Sequence, residues 1–280
     1  MSSTNITDLP EGCISHILTL TSPVDVLRSS VVSKQFLSAS ESDVVWIKFL
    51  PSNVDDIVSQ SSSSSSTILQ RLTSKKKQFL YLCSSHMFFN NDTQSFALNK
   101  WSGKKCYMLG ARALDIVWGN TPQYWIWRSL PESRFPEIAG LLIVWWLLIE
   151  VRIKPTILTQ NTTYGAYFVY KINVDENHGF DLTPVKTSVY EFMDEDGSED
   201  PHPDSVPCKC FYLKDPRTTV PREELPNARD DGWMEIEMGR YYVNDCVDER
   251  VWLKMRLAEI EQLHSKMGLI VEGIELRPLD

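Results

Sequence analysis

Ala111–Phe135, ARALDIVWGNTPQYWIWRSLPESRF, carries three of the chain's nine tryptophans, Trp118, Trp125 and Trp127. Its first half alternates. Leu114, Ile116 and Trp118 point one way and Ala113, Asp115 and Val117 the other, which is the two-residue period of a strand. Gly119-Asn120-Thr121-Pro122 breaks that period with turn chemistry. A second short run follows, with Trp125 and Trp127 on one face and Tyr124 and Ile126 on the other. The pattern predicts a hairpin, or two strands joined by a short loop, carrying a band of aromatic rings. An indole has two uses in such a place. Buried, it contributes a large apolar area to a core. Beside a turn, it can lie flat against the C–H face of a sugar ring while nearby polar groups bond the hydroxyls. Trp118 and Trp125 flank the turn and are the candidates for a platform; Trp127, further from it, is a candidate for the core.

Working outward, the C-terminal part reads as strands. Ile138–Ile149, IAGLLIVWWLLI, lies between Glu137 and Glu150 and is too short to cross a membrane as a helix, so a buried strand is expected. Thr163–Ile172 alternates Tyr164, Ala166, Phe168 and Tyr170 against Thr163, Gly165, Tyr167 and Val169. In Trp233–Met238, Met234, Ile236 and Met238 share one face, and Trp233, Glu235 and Glu237 the other. The two acids are candidates to accept hydroxyl groups, against the ordinary use of a carboxylate on a solvated strand face. Leu269–Leu276 is the last strand, with Gly273 a bulge candidate. Val251–Leu263 fits both a strand and a helix and is read as a strand at its start. Asp194–Asp204, DEDGSEDPHPD, reads as a mobile acidic loop. Short strands separated by turn clusters predict an antiparallel sandwich.

The N-terminal part is helical. Leu9-Pro10 precedes a pattern with Ile14, Ile17 and Leu18 on one face. Ser22-Pro23-Val24-Asp25 is a helix start: Ser22 caps, Pro23 suits the first helical position, and Asp25 closes a capping box. Val31–Phe36 leads into another short helix, and Asp43–Leu50 forms a last one, stopped at Pro51. So small a module cannot bury all its apolar positions internally, and the excess implies a partner. The unbroken serines Ser61–Ser66 predict a flexible linker and a domain boundary. Beyond them, Ile68, Leu72, Phe79 and Leu80 regain periodicity, with Lys75–Lys77 read as a solvated face rather than a nuclear signal.

Composition narrows the classes of function. The chain has 280 residues, 42 % of them hydrophobic, and a net charge of −9, which argues against a nucleic-acid backbone as main partner. The start, MSSTNITDLP, has no apolar core, so no secretory signal is expected. The six cysteines are then reduced thiols. Cys208-Lys-Cys210 near His202 lacks the spacing of a zinc site. Asn5, Asn91 and Asn161 match the glycosylation pattern, which a cytosolic chain never presents to that machinery. His16, His86, His178, His202 and His264 share no spacing with a nucleophile, and no glycine-rich phosphate loop is present. Adjacent carboxylates do not by themselves make a glycosidase. No catalytic residue, metal or cofactor is expected.

Two resemblances complete the sequence-based expectations. Leu9–Pro51, LPEGCISHILTLTSPVDVLRSSVVSKQFLSASESDVVWIKFLP, resembles an F-box across essentially the whole motif. That resemblance implies docking on the SKP-type adaptor of a cullin-RING ubiquitin ligase, with Leu9, Pro10, Ile14, Ile17, Leu18, Pro23, Val26 and Val31 at or near the contact. Asn99–Leu109, Ala111–Trp127, Leu130–Ile138, Thr163–Lys171, Asp231–Met238 and Gly268–Pro278 together resemble a plant phloem-protein-2 domain, also called Nictaba-type. F-box, serine linker and this domain in one chain resemble the plant F-box proteins of the phloem-protein-2 B group. The implied fold is α+β multidomain: an all-α F-box helical module over residues 1–52, a Ser-rich linker and connecting helix over 53–84, and an antiparallel β-sandwich lectin-like domain over 85–280. The implied ligands are N-acetylglucosamine-containing glycans, with Trp118 and Trp125 of WGNTPQYWIW matching the tryptophans linked to sugar binding. The chain departs from the pattern at Trp145, Leu148 and Val151, where the family more often has a small residue, an acid and a glycine.

The expected role is a non-catalytic substrate adaptor in the cytoplasm and nucleus, bound to the SKP-type adaptor and through it to cullin, with neither nucleic acid nor membrane as partner. Two alternatives stand beside it: a carbohydrate-binding lectin acting outside the ligase, and an adaptor whose β domain reads a protein surface without sugar.

Overall fold

A computed structural model of the chain describes residues 9–61, 64–193, 201, 205–214, 216 and 220–279. These residues form two compact units. The first holds the described residues up to Asn91 together with Ser95–Cys106; the second holds Asp92–Gln94 and Tyr107–Leu279. Helices followed by a mostly antiparallel β domain are the α+β layout expected from the sequence. Among the described residues, no helix is long and apolar enough to cross a membrane. His202 and all of the acidic loop except Pro201 lie outside the described residues.

In the first unit the helices are α1 (Glu11–Thr19), α2 (Pro23–Ser29), α3 (Lys34–Glu41), α4 (Asp43–Trp46), α5 (Val54–Gln60), α6 (Ser64–Arg71) and α7 (Lys75–Ser84). The starts of α2 and α3 follow from their caps. The Ser22 hydroxyl accepts from Asp25 N–H and donates to the Asp25 carboxylate, with Pro23 at the first position of α2. Ser33 accepts from Phe36 N–H and starts α3. Each such cap is worth about 1 kcal/mol. Trp46 is fully buried, donates its Nε1–H to Ser40 O at 2.6 Å, and has the Phe79 ring of α7 at 5.2 Å. The last residues of the serine run, Ser64–Ser66, open α6, and helices continue to Ser84. Two short strands, β1 (Met87–Phe89) and β2 (Gln94–Leu98), come next.

The second unit is built from β3 (Lys105–Gly110), β4 (Asp115–Ile116), β5 (Trp125–Arg128), β6 (Ile138–Leu141), β7 (Leu147–Ile153), β8 (Thr162–Ile172), β9 (Val185–Met193), β10 (Lys209–Phe211), β11 (Asn227–Ala228), β12 (Met234–Val243), β13 (Val251–Glu259) and β14 (Leu269–Pro278). One sheet runs β3-β14-β8-β12-β11, and the other β10-β9-β13-β7-β4. All the registered pairs are antiparallel. Along one edge of β14, Ile270 and Val271 pair β6 and Gly273–Leu276 pair β3; a bulge between Val271 and Gly273 marks the changeover. An ideal Cβ on Gly273 would stand 2.1 Å from Leu109 O, so this close approach needs glycine. Both sheets feed one hydrophobic core, with Phe168, Ile236 and Ile274 from the first and Ile149, Leu253 and Met255 from the second.

Two open readings are resolved here and one expectation is corrected. Of the two readings of Ala111–Phe135, a hairpin or two strands joined by a loop, the structure has the second. Ala111–Ala113 forms a 3-10 turn, β4 pairs β7, and β5 pairs β6, so its two strands join different sheets through a loop. Ile138–Ile149 is not one strand: β6 and β7 are separate, and Leu142, Trp145 and Trp146 between them are exposed. Val251–Glu259 is a strand, as the start of that segment reads, paired on both edges by β7 and β9.

Candidate functional site

The loop after β4 carries Trp118 at φ +57, the left-handed region that a bulky side chain enters only at a cost. Two short backbone bonds hold the turn, Gly119 N to Ile116 O and Thr121 N to Trp118 O, each 2.8 Å. Gly119 is required there, because a Cβ would stand 2.9 Å from Ile116 O. The Trp118 side of the turn is open: the residue is 45 % exposed, and its ring lies 5.3 Å from that of Tyr124. Trp127 braces the turn from below. Its Nε1–H donates to Gly119 O at 2.8 Å, and the Arg112 guanidinium lies 3.6 Å from its ring centroid. Arg112 in turn makes two bonds to Glu137, and these hold the Glu137 carboxyl below the usual range.

Trp125 is placed differently. It sits opposite Leu141 in β5, is 3 % exposed and belongs to the hydrophobic core. Its buried Nε1–H has no hydrogen-bond partner among the described residues. Trp118 and Trp125 therefore do not share an open face, and Trp127, the expected core residue, is half-buried.

Glu235 and Glu237 lie on the outer face of β12, as the alternation predicts, but both carboxylates are engaged. Glu235 is buried, takes Arg229 Nη1 at 2.8 Å and pairs with Arg277. Glu237 takes Lys209 Nζ and Arg240 Nε, each at 2.8 Å. Burial works against ionisation of Glu237, yet the bonds from Arg240 and Lys209 outweigh it and bring its carboxyl down to about 2. These acids sit on the sheet opposite to β4, and no hydrogen bond or ion pair among the described residues links them to the Trp118 turn.

The helical unit divides the expected adaptor residues. Ile14, Leu18, Pro23 and Val26 are buried in its own core, Leu9 is half-buried, and Pro10, Ile17 and Val31 are exposed. Sequence reasoning missed Leu20, Val32, Leu37, Val44 and Ile47, all exposed. Helical geometry contained a signal for some of them. Val44 in α4 and Ile47, its C-cap, stand three apart on one helical face, opposite the buried Val45 and Trp46.

The six cysteines are free thiols. Burial pushes Cys83 up to about 12. Among the described residues, no group of His, Cys, Asp and Glu is placed to hold a metal.

Exposed apolar residues on short capped helices, followed by two antiparallel sheets around a shared core, define a two-unit α+β protein. The sequence profile described as "Phloem protein 2" matches residues 104–278, and the profile described as "F-box domain" matches residues 6–48. The chain belongs to the phloem protein 2 family, in its F-box-bearing form. It is 38 % identical to Putative F-box protein PP2-B12 of Arabidopsis thaliana, covering 98 % of each chain. It is 36 % identical to F-box protein PP2-B10 of the same plant, over 96 % of this chain and 92 % of the relative. F-box protein VBF, also from Arabidopsis thaliana, is 36 % identical over 96 % of this chain and 98 % of its own length.

Proposed function

We propose that the chain is the substrate-recognition subunit of an SCF-type cullin-RING ubiquitin ligase. Its F-box helices dock an SKP-type adaptor, and its second unit selects a target bearing N-acetylglucosamine-containing glycans. In this role the chain transfers no ubiquitin itself and works in the cytoplasm and nucleus. The observation that carries the reading is the F-box match over residues 6–48, on a helical module whose helices and turns leave Ile17, Leu20, Val31, Val32, Leu37, Val44 and Ile47 exposed. Fully burying one aliphatic side chain is worth roughly 1.5–3 kcal/mol. Four or five such anchors offset the cost of association and leave tight binding.

The glycan part is supported by Trp118, an exposed ring on a strained turn. Stacked rings at about 1 kcal/mol each, with a few hydrogen bonds of similar size, give millimolar to micromolar binding. Capture of a scarce target then needs added protein contacts or multivalency. The burial of Trp125 and the ion pairs on Glu235 and Glu237 favour a second reading, in which the β domain recognises a protein surface.

A glycan array of the full chain beside its Trp118→Ala variant tests the first reading. Signal on N-acetylglucosamine glycans that vanishes in the folded variant supports it; a blank array with folded protein selects the second. Co-purification with an SKP-type adaptor, lost in Ile17→Asp with Val31→Asp and kept in Trp118→Ala, tests the adaptor role.

A further inference from the structure

The chain has a net charge of −9, yet one face of its β domain gathers cations. That face is the outer side of the β10-β9-β13-β7-β4 sheet, around its central strand β13. Alternation sorts the strands. Ile149, Val151 and Ile153 of β7 and Leu253 and Met255 of β13 enter the core, so Arg152, Trp252, Lys254 and Arg256 face out. Register brings them together: Lys254 lies opposite Arg152 on one side and Tyr190 of β9 on the other, and Trp252 lies opposite Phe192.

The cations of this face are not equivalent. Lys254 and Arg256 both pair with Glu150, at 3.4 and 3.0 Å. Arg152 and Lys154 form no salt bridge among the described residues. Both lie over the Trp252 ring instead, the guanidinium carbon 4.9 Å and the ammonium 4.0 Å from its centroid. Lys154 also donates to Glu249 O, and its charge reaches Asp248. Arg152 has the ring alone. A ring face holds a guanidinium without using its N–H groups, so the planar fork stays available for an anion with two oxygens.

The acids of the face lie to one side. Asp115 stands opposite Glu150 across β4 and β7, and both line a cavity of about 180 Å³ beside Arg152 and Lys254. They turn an anion towards Arg152 and Lys154. Tyr190, Phe192 and Trp252, each half-buried, add apolar surface next to the cations. Carboxylates spaced along an extended chain, with apolar side chains between them, complement this surface.

We infer that Arg152, Lys154 and Trp252 form a docking site for an extended acidic peptide, the segment by which a target protein is held. The site rests on the protein-surface reading of the β domain, whose partner chemistry it names, and is independent of the glycan reading of Trp118.

The test is a nitrogen-15 NMR titration of the full chain with a ten-residue peptide of glutamates and two spaced phenylalanines, beside the same peptide with glutamine for glutamate. The acidic peptide is expected to shift the Trp252 indole N–H signal, assigned by its loss in Trp252→Phe. It should bind at least tenfold more tightly than the glutamine peptide at low salt, and the preference should narrow as salt rises. Arg152→Gln with Lys154→Gln loses that tenfold and leaves the glutamine peptide within twofold, whereas Trp118→Ala changes neither. Should the double variant unfold, Arg152→Gln alone removes the cation held only by the ring. No binding, equal binding of the two peptides, or wild-type affinity in the folded double variant overturns the site; the glycan array judges the protein-surface reading separately. An oligonucleotide of equal charge that binds this face more tightly overturns the peptide class. Binding that appears only when residues 194–204 are deleted gives the face to the chain's own acidic segment, and a dimer that the double variant dissolves gives it to a second copy; either overturns the target role.

Discussion

Trp118 stores strain where a ring is presented to solvent. A non-glycine residue in the left-handed region costs about 1–2 kcal/mol. Trp118→Gly and Trp118→Ala both remove the ring, but only glycine relieves φ +57. Glycine is therefore expected to be the more stable variant by about 1 kcal/mol in urea unfolding, the reverse of the usual order of these residues. Alanine proving more stable would mean that the turn relaxes without the indole. At Trp125 the expectation is different. Trp125→Ala empties a core position and should cost about 3–5 kcal/mol. Trp125→Phe should cost much less, because it keeps a ring and removes a buried N–H that has no partner among the described residues. A Trp125→Ala variant of unchanged stability that loses only sugar binding would return this residue to the platform.

At the scale of elements, the segment between β6 and β7 depends on one buried ion pair. Lys266→Met leaves the Glu259 carboxylate buried with no counter-charge and should cost about 3–5 kcal/mol. Adding Glu259→Leu should recover most of that loss, and a double-mutant cycle by chemical denaturation measures the coupling. Additive losses would show that the pair contributes nothing beyond its separate side chains. The same region shows what sequence patterns hold and what they omit. In β8, inward Tyr164, Ala166, Phe168 and Tyr170 alternate with Tyr167 and Val169, and the period is visible because it is local. Ile138–Ile149 reads as one strand because its connecting residues, Leu142–Trp146, are as apolar as the strands and include no glycine, proline or asparagine. The Trp118 and Trp125 signals are chemically alike. Their separation into open surface and core is set by pairing partners, β7 for β4 and β6 for β5, which no local period encodes. In the helical unit the Ser22 cap was legible for the same local reason. The sorting of Ile14 inward and Ile17 outward needed the neighbouring helices.

At the scale of the whole molecule, acid titration sets two effects against each other. The chain carries a net charge of −9, so protonation relieves self-repulsion and, acting alone, would stabilise it as pH falls. The outer face of the β3-β14-β8-β12-β11 sheet opposes this. Glu237 is lowered to about 2 from an ordinary 4.5, burial being outweighed by Arg240 and Lys209. Glu275 is lowered too, burial being outweighed there by Arg134 and Arg229. A carboxyl depressed by folding contributes stability that is present above the unfolded value and lost as pH falls through the folded one. Glu272 has the opposite sign. Burial raises it, against the Arg134 amide it accepts from, so its ionised form weighs on the folded state at neutral pH and its protonated form does not. The expected melting temperature therefore falls between about pH 5 and pH 2, the window set by the depressed carboxyls. Glu237→Gln should make that fall shallower. Glu272→Gln, which keeps an acceptor for Arg134 N–H, should raise the melting temperature at pH 7 and leave it unchanged at pH 3. Thermal melts of the three proteins across this range decide between the effects. A melting temperature that rises on acidification would mean that self-repulsion outweighs the ion pairs. Parallel curves for Glu237→Gln and wild type would mean that the Lys209 and Arg240 bonds to Glu237 are matched by water in the unfolded chain.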